Sequence, residues 1–125
     1  MRSAITAIQM AIRALGVIQL VLGIIFWTGR ALGLVDLHQL IGIVLVLGLW
    51  AQAAMAQRAG VAGGLVAGAA AWGVLVAIVG LTQRDLLPGS AHWVIRVVHL
   101  LLGIGLLALA ENLATRAKAR LAPVA

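Results

Sequence analysis

The chain has 125 residues, of which 64% are hydrophobic and only 10% charged, and its mean hydropathy is +1.17. Soluble domains carry about 25% charged residues, so this composition excludes an ordinary soluble domain and indicates an integral membrane protein. The chain has no cysteine, which removes disulfides and thiolate ligands, and its formal charge of +6 resides at the ends of apolar stretches rather than on a basic face, so nucleic acid is not expected as a partner.

A helix needs about 20 apolar residues to span a hydrocarbon core of roughly 30 Å. Four segments meet that length, at residues 5–27, 35–55, 61–81 and 91–113, and they fill the chain as a single transmembrane domain. The first is too long for a signal peptide, is interrupted by Arg13 and lacks a cleavage site, so it reads as a mature helix. It carries Gly16, Gln19 and Gly23. The second opens with His38, followed one turn later by Gly42. The third begins with Gly60, Gly64 and Gly68, a spacing expected for close helix packing, and continues to Gly73 and Gly80. Leu87-Pro88-Gly89-Ser90 then breaks the chain, with Ser90 expected to cap the fourth helix. That helix carries His92, Arg96, His99, Gly103 and Glu111, the last expected to pair with Arg13. Trp27 and Trp93 fall near helix ends, as in an aromatic belt, whereas Trp50 and Trp72 are deeper and read as packing or ring contacts.

Short connections make neighbouring helices antiparallel. Arg2, Arg13, Arg58, Arg116, Lys118 and Arg120 lie at one end, against Arg30, Arg84 and Arg96 at the other. The positive-inside rule therefore places both termini in the cytoplasm, in a bacterial cytoplasmic membrane, with the lipid bilayer as the obligatory partner.

The chain also repeats itself. Gly16 to Gly23 aligns with Gly73 to Gly80 at an offset of 57 residues, and His38 to Ile43 aligns with His99 to Ile104 at an offset of 61. Each hairpin thus joins a glycine helix to a histidine helix. The expected fold is all-α, a four-helix bundle built from two parallel-repeat hairpins, N-in and C-in, with the two histidines facing each other in the outer leaflet. Ionisable side chains at membrane depth are functional-site candidates, and imidazole is the commonest metal ligand. Glycines seven apart share a helix face and open a slot between helices packed about 8 to 10 Å apart.

In these repeated histidines and glycines the chain resembles the transmembrane b-type cytochromes, where histidines on two helices of a four-helix bundle ligate haem and glycines make room for the ring. The resemblance implies one haem b, with His38 and His99 as axial ligands to the metal. It further implies Gly16, Gly23, Gly42, Gly73, Gly80 and Gly103 as neighbours of the macrocycle. His92, seven residues before His99, remains the alternative partner of His38, although no glycine follows it one turn later. Arg96 is a candidate for the haem carboxylates or for lipid headgroups. Bis-histidine ligation favours electron transfer over oxygen binding, and a quinol or an outer-side protein would be the exchange partner. One pair in one leaflet suits a carrier better than a relay across the membrane. No nucleophile with a base, no carboxylate pair and no phosphate loop marks the chain as an enzyme. The alternative is a cofactor-free accessory subunit of a larger respiratory or photosynthetic complex, to which the glycine and alanine faces are suited.

Overall fold

The computed structural model describes residues 1–122. They form four helices, α1 (Arg2–Trp27), α2 (Val35–Arg58), α3 (Gly63–Thr82) and α4 (His92–Arg120), with 3-10 turns at Leu32–Leu34 and Gly89–Ala91 and no strand among the described residues. All four are long and apolar enough to cross a membrane. Between 17 and 22% of the residues in their most apolar stretches are buried inside the bundle, so most of the apolar surface faces outward, as in a multi-pass membrane protein. The four expected spans are present. The helices extend beyond them mainly at the ends bearing charge, by three residues in α2 and seven in α4.

Local sequence sets the helix ends. After α1, Gly29 adopts φ +75 and its N–H donates to the Phe26 carbonyl, while the Arg30 N–H reaches Ile25. After α2, Gly60 adopts φ +79, with its N–H on Gln57 and the Val61 N–H on Ala56. Both are Schellman caps, which need a left-handed residue just past the helix and so favour glycine. Gly60 is therefore a turn residue, not part of a packing stripe. Gly64 and Gly68 have nothing within 4 Å of an added Cβ, so within the chain they form an open outer face rather than the close helix contact expected of them. Ser90 does not cap α4 either: the chain makes a 3-10 turn, Ala91 takes the cap position without a side-chain bond, and the His92 N–H donates to the Gly89 carbonyl. That backbone bond replaces the one a serine hydroxyl would have supplied.

The histidine helices form the centre. α2 and α4 pack on each other and on both α1 and α3, whereas α1 and α3 share no comparable contact. Buried apolar residues cluster toward the end that carries the chain termini. They include Leu45, Leu49 and Ala53 of α2 with Leu106, Leu113 and Ala117 of α4. The other end, bounded by the α1–α2 and α3–α4 connections, is less densely filled and holds the site described below. Apolar side chains gain little from each other in lipid, so polar bridges and close approach at small residues matter more. The Trp50 indole N–H donates to the Ala70 carbonyl at 3.2 Å across Gly73, and that of Trp72 to Leu102 at 3.0 Å across Gly105. Gln52, 1% exposed, donates to the Ile5 carbonyl at 3.1 Å. Glu111 takes two donors from Arg13, at 2.6 and 2.8 Å, and one from buried Gln9 at 2.6 Å, and Lys118 donates to the Gln9 oxygen at 2.7 Å. The expected Arg13–Glu111 pair is thus one part of a network fastening the first helix to the last.

A Cβ on Gly105 would meet the Trp72 ring at 2.5 Å, whereas one on Gly68 meets nothing. Gly105→Ala is expected to destabilise the folded protein by about 1–3 kcal/mol through overpacking, and Gly68→Ala to cause no loss. Denaturant unfolding in detergent micelles, followed by tryptophan fluorescence, checks both.

Candidate functional site

His38 is the fourth residue of α2 and His99 the eighth of α4. Because these helices pack directly on each other, both imidazoles enter the same space near the loop end. Their ring centroids are 6.2 Å apart, with the planes inclined by 54°. Phe26, from the last turn of α1, sets its ring edge-on to His38 at 5.3 Å. Such an arrangement suits the quadrupole of an aromatic ring and limits rotation of the imidazole.

The glycines divide by what occupies the volume beside them. A Cβ on Gly23 would lie 3.7 Å from His38 Cε1, and one on Gly80 would lie 3.3 Å from His99 Cε1. Each therefore makes room for an imidazole. Gly42 serves Gln19 instead: the Gln19 amide nitrogen lies 3.1 Å from where a Cβ would be, and it donates to the His38 carbonyl at 2.8 Å. Gln19 thereby bridges α1 to the first turn of α2. Gly103 borders open cavity, with nothing within 4 Å. Gly16 also borders the cavity, but the Leu107 side chain covers it. Gly73 lies away from the imidazoles, under the Trp50 indole.

Two adjoining lobes surround the histidine pair, with volumes of about 330 and 390 Å³. Both are lined by His38, His99, Gln19 and Gly103. The first extends inward to Leu45, Val46 and Leu106, and the second outward to Leu32, His92 and Arg96. Each is large enough for a small organic ligand, and together they admit a larger one. Arg84 and Gln83, just past the end of α3, line both lobes. In the sequence Arg84 reads only as a topology charge, because an arginine after a span has the same pattern whether it faces headgroups or a cavity. His92 stands at the outer lobe, where its Nδ1–H donates to the Leu86 carbonyl at 3.1 Å. The backbone bond anchors that ring to the α3–α4 connection.

Polar satisfaction separates this region from most of the bundle. His38 Nδ1, His99 Nδ1 and Gln19 Oε1 are all buried and have no hydrogen-bond partner, and the other such side-chain atom among the described residues is Gln52 Oε1, nearer the opposite end. Buried polar atoms are nearly always paired, so this end of the bundle is less completely satisfied than the terminal end. Structural and catalytic zinc sites take three or four protein ligands, and no cluster of three His, Cys, Asp or Glu side chains placed to hold a metal ion occurs among the described residues. The two imidazoles could supply two ligands to a metal-containing group.

The juxtaposition can be tested without assuming a ligand, because the native chain contains no cysteine. A His38→Cys/His99→Cys double variant is expected to be bridged within one chain by a short thiol-to-thiol crosslinker, detected by mass spectrometry of the digest. A His38→Cys/Trp93→Cys control, with Trp93 exposed, is expected to remain unbridged.

No protein family, curated protein or solved structure matches the chain.

Proposed function

We propose that this chain is a membrane-embedded electron carrier that holds one haem b between His38 and His99. The observation that carries this reading is the pair of half-buried imidazoles, from α2 and α4, that line one cavity with ring centroids 6.2 Å apart. Metal–imidazole bonds are about 2 Å long, so two rings at this spacing are within reach of a single ion. The apolar lobes and the open flank of Gly103 supply space for a flat macrocycle, and Gly23 and Gly80 leave each imidazole free to take its place.

When bound, haem supplies one-electron chemistry at its iron. The chain's own residues bind and exclude. His38 and His99 would hold the haem, and ligation by two imidazoles would favour electron transfer over oxygen binding. Gln19 fixes the first turn of α2 through the His38 carbonyl, and Phe26 restrains the ring from its edge. The site faces the loop end of the bundle. With six basic residues near the terminal end against three near the loop end, we place the termini in the cytoplasm and the cavity in the outer leaflet. A quinol in the bilayer or a protein at the outer face would then be the exchange partner. The same proposal includes descent from a repeated hairpin, supported by the matching contacts of Gly23 with His38 and Gly80 with His99.

A second reading, a cofactor-free subunit of a larger membrane complex, is favoured by one feature. Gly64 and Gly68 present an open face of small residues outside the bundle, suited to another helix.

The two readings part in one experiment. Expressed in a haem-replete host and purified in detergent, the parent is expected to give a low-spin haem spectrum that shifts on reduction with dithionite. His38→Ala and His99→Ala are expected to lose low-spin haem, and His92→Ala to keep it. A parent without haem would favour the accessory subunit, and an unchanged spectrum in His99→Ala would move the second ligand to His92. Topology is checked separately: in intact cells an impermeant maleimide is expected to label Ser90→Cys, and to label Ser3→Cys only after the membrane is opened.

A further inference from the structure

Arg84 and Arg96 come from different parts of the chain. One follows α3 and the other lies in the second turn of α4, yet both line the outer lobe that also contains His38 and His99. Arg84 lines the inner lobe as well, together with Gln83. No acidic residue lines either lobe. Asp36 and Asp85 are exposed at the same end of the bundle but lie outside the lining. The remainder of the cavity wall is mostly apolar. A ligand that fits this gradient has a broad apolar body inside and anionic groups at the loop end.

We propose that Arg84 and Arg96 form a carboxylate clamp that fixes which edge of the haem faces the loop end, with Gln83 as a neutral donor beside it; this rests on the haem reading above. Haem b carries two carboxylates on adjacent positions of one edge, and two arginines, Arg84 and Arg96, line the outer lobe. A guanidinium presents paired N–H donors in a planar fork that matches a carboxylate, and such charge-assisted bonds are about twice as strong as neutral ones. Carboxylates directed toward the apolar wall of Leu45, Val46 and Leu106 would lose hydration and be without the second arginine, since Arg96 lines only the outer lobe. The clamp therefore does two things. It makes one in-plane orientation of the macrocycle favoured over its reverse, and it keeps the charged edge in contact with water at the membrane surface. Arg30 is at the same end but lines neither lobe, which makes it the control.

The test compares haem with its dimethyl ester, which has the same ring and iron but no carboxylate charge. Apoprotein in detergent is titrated with each and followed by the low-spin absorption band. For haem, Arg84→Gln and Arg96→Gln are each expected to weaken binding about three- to tenfold, the double variant to weaken it further, and Arg30→Gln to leave it unchanged. For the ester, all four proteins are expected to bind as the parent does. Circular dichroism of each apoprotein checks that the helices are retained. If the parent binds haem but the double variant binds it equally tightly, or if the ester loses affinity in the same proportion as haem, the clamp is overturned and the histidine site stands. A parent that binds neither compound overturns the haem reading and the clamp together.

Discussion

In hydrocarbon a helix gains little by hiding leucine against another leucine, so a bundle of apolar helices is held by shape and by a few polar bridges. Everything in this chain depends on how those bridges are distributed. At the terminal end they are satisfied: Glu111 gathers Arg13 and Gln9, Lys118 completes Gln9, and Gln52 reaches the backbone of Ile5. At the loop end Gln19 makes one bond and leaves its oxygen free, and neither imidazole finds a partner for Nδ1. The first end is a finished fastening. The second surrounds a cavity and leaves three buried polar atoms without partners.

That contrast follows from where α2 and α4 place their large side chains. Over the terminal halves of these helices Leu49, Ala53, Leu113 and Ala117 are buried in one core cluster. Over the loop halves the inward positions are taken by His38, His99 and Gly103, with Gly23 and Gly80 opposite the imidazoles from α1 and α3. Glycine has no side chain to fill space, and imidazole fills it only in part. The packed half thus sets the distance between the two central helices, and the unfilled half inherits that spacing as a site. Rigid support of this kind allows two side chains on separate helices to hold a fixed separation.

Much of the architecture was legible in the sequence because four apolar runs of spanning length, separated by short polar breaks, leave few alternatives. That His38 and His99 lie toward the loop ends of their helices followed from counting residues, and the two rings do meet, as their matching surroundings in the sequence suggest. What the sequence concealed was the individual role of each glycine. Gly16, Gly42 and Gly73 share the pattern that marks Gly23 and Gly80, yet they accommodate Leu107, Gln19 and Trp50. Only the rotation of one helix against its neighbour decides which side chain a glycine meets, and periodicity does not encode that rotation. Gly60 misled for another reason, since a positive-φ cap and a packing stripe place glycine at the same spacing. Arg84 was hidden because positive charge just beyond a span is explained equally well by topology.

The proposed haem would be held between His38 of α2 and His99 of α4. The most direct measurement is electron paramagnetic resonance of the oxidised protein after haem loading and removal of unbound haem. The account requires a low-spin, six-coordinate ferric signal at about one iron per chain. A predominantly high-spin five-coordinate signal, or a protein that retains no iron, would contradict it.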